Sequence, residues 1–271
     1  PGDVLMGVPA KVRSFATTSL FSPLGKLRAA CEPFLPTTED DDSIGHYVRQ
    51  RFGREIHERL VDPLVGSIYA ADTDHFSMAA VPQLSALTSS RSMLLAAGKA
   101  RKATPPSPNT PIFGVPLRGM GALIETLEQR ITCLGATIVF NAKVDSVERS
   151  GAVYSISSTA GQFTADAIVV ATPAKHSAPF IAGLDKSASE QLATWDHASV
   201  VLISLRIPAA QWPANLTGSG YLVPKPDQRW VTAASFGSNK WAHWRPSDGS
   251  MIVRVSLGRD GLDVRHFDDE R

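Results

Sequence analysis

At 271 residues the chain can bury a sizeable core, in one large domain or two ordinary ones. Its 27 basic and 26 acidic residues leave a formal charge of +1, which gives no electrostatic footprint for nucleic acid. No run reaches the roughly 18 apolar residues of a membrane span. Cys31 and Cys133 stand far apart in no metal-ligand or redox spacing, so each is expected to be a buried small hydrophobe in a reducing compartment.

The chain does not begin with Met, and Pro1-Gly2-Asp3 lacks the basic start and apolar stretch of a signal peptide. Arg265 to Arg271 reads like the opening of a helix, so both ends are expected to be cuts. The first third is helical in character. Thr37 to Ser43 supplies capping side chains and negative charge for a helix over about Ile44–Phe52, which pauses at Gly53. Another helix resumes with Ile56, Leu60, Val61 and Leu64 on one face. Arg54, Glu55, Glu58 and Arg59 lie opposite, expected as a solvated face laced with local ion pairs. The helical pattern continues from Ser77 to Lys99 until four prolines in residues 103–111 break it. A further helix is expected from Gly121 to Leu134, with Leu123, Leu127, Ile131 and Leu134 facing inward.

The texture then changes to strands. Residues 137–140 and 153–157 are β-like, and Ala167 to Ala171 is apolar enough to be buried on both faces of a sheet. Ser199–Ile207, Trp230–Ser235 and Met251–Leu257 complete the set, separated by Pro- and Gly-rich turns.

A search for catalytic groups returns little. Seven histidines are scattered, and His57-Glu58 lacks the second histidine of a zinc site, so surface or capping roles are expected for all seven. Gly218-Ser219-Gly220 is a tight turn, not a nucleophile elbow. Gly119-Met120-Gly121 is a fragment of a dinucleotide fingerprint without its third glycine or a preceding strand. A chain without an evident acid, base, metal or nucleophile points to cofactor chemistry, although a binding module would look equally bare.

The segments Arg51-Phe52-Gly53-Arg54-Glu55, Glu58 to Leu64 and Ile68-Tyr69-Ala70-Ala71-Asp72 resemble the signature of protoporphyrinogen oxidases. The bacterial members acting on coproporphyrinogen III are the most similar in pattern. Ser22 to Arg28, Arg118 to Leu123, Ala165 to Ala174, Gly218 to Pro224 and Ser238 to Trp241 follow the family's order across nearly the whole chain. The resemblance implies an α/β fold of mixed α+β character, the central part of a flavin amine-oxidase-like FAD/NAD(P)-binding fold. It divides the chain into a helical subdomain (1–116), part of an FAD-binding domain (117–174) and part of a substrate-binding sheet domain (175–271).

The activity implied is FAD-dependent oxidation of a porphyrinogen to a porphyrin in haem biosynthesis, with molecular oxygen as acceptor and hydrogen peroxide as product. Carried over by position, Val144 would hold the adenine side of FAD through its backbone. Gly220, Leu222, Ser235 and Ser256 would line the porphyrinogen slot, and the Ser67 backbone carbonyl would face the substrate. No catalytic side chain is implied. Ser67 and Ala71 replace loop glycines, where a side chain would strain a positive φ. The family's Gly-rich FAD turn, its propionate-anchoring arginine and its closing C-terminal segment have no counterpart, so the isolated chain is expected to be inactive. A cytoplasmic enzyme, or one peripherally associated with a membrane, is expected. A flavin amine oxidase or carotenoid desaturase relative, or a non-catalytic porphyrin- or partner-binding module, stays open.

Overall fold

Residues 4–5, 8–9, 12–36, 43–103 and 114–265 are described by the structure, a computed structural model. Two short antiparallel strands, β1 (Val4–Leu5) and β2 (Val8–Pro9), precede helix α1 (Val12–Thr17). Helix α2 (Pro23–Ala30) begins where Ser22 Oγ accepts from the Gly25 N–H and Pro23 fills the first turn, where its missing N–H is harmless. Ser43 caps α3 (Ile44–Phe52) in the same way, accepting from the His46 N–H. The rest of the expected capping run lies outside the described residues, as do most of the proline-rich break and the end of the chain.

Gly53, at φ 89°, lets the chain turn directly into α4 (Arg54–Ile56). A π-helical turn, His57–Val61, then leads to α5 (Asp62–Tyr69). Pro63 explains the widening: its ring would press on the carbonyl four residues back, and the Asp62 N–H reaches the His57 carbonyl instead. The pattern from Ser77 to Lys99 is divided at Pro82 and at a serine-rich break. A 3₁₀ turn (Met78–Ala80), α6 (Pro82–Thr88) and α7 (Met93–Ala103) result, with Ser92 Oγ accepting from the Leu95 N–H.

Helix α8 (Gly121–Cys133) is followed by the antiparallel meander β3 (Val144–Ser150), β4 (Val153–Ser158) and β5 (Gly161–Ala165), in that spatial order. Helices α9 (Ala174–Ile181) and α10 (Lys186–Thr194) come next. The remaining elements are β6 (Val201–Ile207), β7 (Gly220–Leu222), β8 (Val231–Phe236), the short helix α11 (Gly237–Lys240) and β9 (Met251–Leu257). These four strands form an antiparallel sheet in the order β6-β9-β8-β7.

The chain divides into two units, residues 1–110 with 198–271, and residues 111–197. The first unit holds a helical core of Ile44, Val48, Phe52, Ile56, Val61, Val65, Leu84 and Met93, all essentially sealed from solvent. Each such side chain contributes on the order of 1.5–3 kcal/mol. A smaller cluster of Ala234, Phe236 and Val253 lies on one face of its sheet, with Trp212 edge-on to Phe236.

The second unit departs from expectation. Helix α8 forms, but none of its residues is buried, and the four residues expected inward are exposed. Residues 137–140 and 167–171 are not strands, and Val169 is 91% exposed. An extended segment becomes a strand only against a neighbour's hydrogen bonds, and no described strand pairs with either one. Both cysteines are also exposed. Cys31 follows a helix whose buried residue is Ala29, and Cys133 ends α8, which has no buried side.

Candidate functional site

The motif residues of the first unit are mostly structural, and their contacts tie its helices to one another. Glu55 accepts from the Ser22 N–H (2.8 Å) and the Ser22 hydroxyl (2.7 Å), tying α4 to the cap of α2. Arg51 and Glu32 form a sealed ion pair, with Arg51 Nε 3.0 Å from Glu32 Oε1. Glu32 also accepts from the Met93 N–H at the start of α7, where a carboxylate suits the helix dipole. Arg54 pairs with Glu58 across one turn, as expected of the solvated face.

The loop after α5 is held by a polar network. Thr73 Oγ1 donates to Asp62 Oδ1 at 2.6 Å, so the hydroxyl must accept from His57 Nε2, 2.8 Å away. That fixes His57 as the Nε2–H tautomer, with Nδ1 turned toward Arg49 Nη1 at 3.4 Å. His57 is therefore a fully buried residue, not the surface or capping group expected from sequence. Burial holds its pKa below the usual histidine value, against the pull of Asp62 and Asp74.

Arg259 Nη1 donates to Asp62 Oδ2 (2.9 Å) and reaches the Ala71 carbonyl (3.3 Å). Lys225 Nζ bridges Asp72 (2.6 Å) and Asp74 (2.7 Å), and Arg49 also binds Asp74. Burial alone would raise Asp74, but hydrogen bonds from Lys225 and Arg49 outweigh it and bring the carboxyl down to about 2. Three carboxylates thus face three cations, which is what a partly buried cluster requires.

Ser67 lies within α5 and its hydroxyl donates to the Leu64 carbonyl (3.0 Å), so it takes ordinary helical backbone. The positive φ belongs to Ala70 (φ 52°, ψ 34°), and Ala71 is not in that region either. The strain expected at Ser67 and Ala71 is therefore not present. Gly66 carries the steric constraint instead: a Cβ there would meet Ala71 O and Arg259 Nη1 at 2.9 Å.

Register places the four sheet residues on one face. One row across the sheet reads Gly220, Ser235, Arg254, Ser204; the next reads Leu222, Ala233, Ser256, Leu202. Gly220 sits at φ 144° with the Ala234 carbonyl against its Cα, so a side chain there would collide with β8. Apart from Arg254 the two rows are small or apolar, and Leu222 and Leu202 are open to solvent. Arg254 is the residue that sequence reading missed on this face. A lone cation in Met-Ile-Val-Arg-Val-Ser-Leu, two residues before Ser256, was the signal.

Val144 belongs to the second unit, as the first residue of β3. The register slips between Val144 and Ser146, leaving the backbone of Asp145 outside regular pairing. Among the described residues, no group of three His, Cys, Asp or Glu could hold a metal, and no helix is long and apolar enough to cross a membrane.

Comparison with known proteins narrows the possibilities. Coproporphyrinogen III oxidase of Bacillus subtilis is 30% identical over 270 residues, covering 96% of this chain and 56% of its own length. The enzyme of the same name from Staphylococcus aureus is 30% identical over 284 residues, covering 100% of this chain and 60% of its own length. The chain therefore spans somewhat over half the length of these curated relatives. A crystal structure from Exiguobacterium sp. 255-15, described as a candidate protoporphyrinogen oxidase, superposes with a TM-score of 0.80 at 23% identity. It covers 100% of this chain and 58% of its own, and shows the same fold. The family described as flavin containing amine oxidoreductase matches residues 1–271 from end to end, and the chain belongs to that family.

Proposed function

We propose that this chain forms the substrate-binding part, and a portion of the FAD-binding part, of an enzyme that oxidises a porphyrinogen to a porphyrin with molecular oxygen as acceptor and hydrogen peroxide as product. The observation that carries the reading is the sheet face. Two adjacent rows bring Gly220, Leu222, Ser235 and Ser256 together as a shallow surface of small and apolar side chains, suited to a flat macrocycle. The similarity to enzymes named coproporphyrinogen III oxidase supports that macrocycle over an amine or a polyene.

Bound FAD would supply hydride acceptance and its return to oxygen in successive two-electron steps. The residues in hand fit its adenine side: the break in pairing beside Val144 frees backbone for a nucleotide contact, and 117–174 is the part we assign to FAD binding. Leu222 would lie against a ring face, while Ser235 and Ser256 would keep that face low enough for the ring to approach. Ser67 occupies the last turn of α5, where carbonyls generally lack an intrahelical partner and carry the negative end of the helix dipole. Its carbonyl, turned to the substrate, would favour the positive charge left on a macrocycle that loses hydride.

Phe34 and Leu95 are exposed beside Arg91 and Lys99 on the rim of an open cleft of about 750 Å³, which supports peripheral contact with an anionic bilayer. Porphyrin fluorescence from coproporphyrinogen III under air, with added FAD, tests the central reading. It should be run on this chain and on the chain with the sequence that flanks it in its gene, against an anaerobic control. Porphyrin that depends on FAD and air is the expected result from the extended chain, with little or none from the 271 residues alone. FAD bound without porphyrin, or reduced by amines or polyenes instead, would overturn the reading.

A further inference from the structure

We propose that Arg254 is the cationic anchor for a carboxylate on the rim of the macrocycle, an assignment that rests on the porphyrinogen reading above. Arg254 stands in the middle of the sheet face, between Ser235 on β8 and Ser204 on β6, with Gly220 next along the row. Its cross-strand neighbours in that row are small. Its guanidinium carbon lies 4.9 Å from the centre of the Trp244 ring, which holds the charge in place by cation–π attraction but offers no hydrogen-bond acceptor. Arg254 Nε is shielded from solvent and finds no partner among the described residues.

Other cations withdrawn from solvent in this unit have partners of their own: Arg28 donates to the Gln50 and Arg51 carbonyls, and four more are matched with acids. Arg51 has Glu32, Arg259 has Asp62, Arg49 has Asp74, and Lys225 has Asp72 and Asp74. No carboxylate pairs with Arg254 among the described residues. An arginine presents a fork of donors that matches a carboxylate, and leaving a shielded donor unmatched is costly. The ligand that completes this position is therefore an acid, and the adjoining row of Leu222, Ala233, Ser256 and Leu202 calls for an apolar, flat body attached to it. A porphyrinogen bearing propionate side chains has both parts, with the ring on the apolar row and one propionate on Arg254.

Binding of coproporphyrin III and of its tetramethyl ester to the FAD-loaded protein, followed by fluorescence quenching, tests the assignment. Arg254→Gln should weaken binding of the free acid about 10- to 100-fold and leave the ester unchanged. Arg254→Lys should recover part of the loss, since it restores charge without the fork. Should Arg254→Gln fail to fold, Ser204→Asp replaces it by setting a carboxylate directly across the strand pair from Arg254, at a position outside the residues proposed to line the slot. That variant should also weaken the acid and spare the ester. Equal affinity for acid and ester in the unaltered protein, or equal losses for both in either variant, would overturn the role of Arg254. A protein that neither binds coproporphyrin III nor oxidises its porphyrinogen would instead overturn the reading on which it rests.

Discussion

The two units solve the same physical problem with different completeness. In the first, segments far apart in sequence close a core of sealed aliphatic residues, and its withdrawn charges at Glu32, Arg51, Asp62 and Arg259 have partners. In the second, Val147 and Ala178 are the buried hydrophobic residues among those described, while Leu123, Leu127, Ile131, Phe140 and Val169 face solvent. Amphipathic sequence suffices to form α8, but forming a helix and burying its stripe are separate events. Only the second depends on what lies opposite.

Arg51 gives the hardest test of the first unit's closure. Both members of its pair with Glu32 are sealed, so Arg51→Met strands a buried carboxylate and should cost about 3–5 kcal/mol in urea denaturation. Replacing both residues with Met should cost less than Arg51→Met alone. A loss under about 1 kcal/mol for the single change would show that the latch is not what holds α7 against the loop at Glu32.

The contrast itself can be measured with two truncations. Ile56→Ala, in the sealed core, should cost about 2–5 kcal/mol. Leu127→Ala on α8, where the side chain is 49% exposed, should stay within about 1 kcal/mol. A large cost at Leu127 would mean that its face is covered in solution, and the contrast between the units would then dissolve.

Much of this division was legible in sequence, and the reasons for the misses are specific. The Ser43 cap, the stop at Gly53 and strand β9 follow from local chemistry, and the structure has them where expected. Residues 167–171 looked like a buried strand because apolar composition reports a preference for burial, not the presence of a neighbour to pair with. His57 looked like a surface residue because nothing near it in sequence shows that Thr73 and Asp62 will close over it. Gly220, Leu222, Ser235 and Ser256 were named by resemblance, and only the strand register shows that they share a face. Arg254 could have been found beside them by counting two residues back from Ser256.

Acid should act on the first unit in two stages. The pKa of folded His57 is lowered, so its contribution to stability is complete above the unfolded value near 6.5 and is lost as pH falls below it. The groups that face it are Thr73, Asp62 and Asp74, with Arg49 and Lys225 beyond, and Asp74, held at about 2, stays ionised in that range. Asp74, held at about 2, contributes stability above 3.8 that disappears only as pH falls toward 2. The urea midpoint should therefore begin to decline below about pH 6.5 and decline again below 3.8. His57→Gln, which can still donate to Thr73, should remove the first stage and keep the second; a first stage that persists in the variant would assign it to another group.

Ser67→Gly should have the smallest effect and separates backbone from side chain at the substrate loop. Were Ser67 held at a strained positive φ, restoring glycine would stabilise the protein. Because Ser67 is helical and donates to the Leu64 carbonyl, glycine should instead cost about 0.5 kcal/mol, through lost helix propensity. The carbonyl proposed to face the substrate is unchanged by the substitution, so porphyrin formation should stay within about twofold of the parent. A gain in both stability and rate would mean that the hydroxyl, not the backbone, limits the approach of the macrocycle. The neighbouring Gly66 would show the opposite dependence, since its missing side chain is what leaves room for Arg259 beneath the loop.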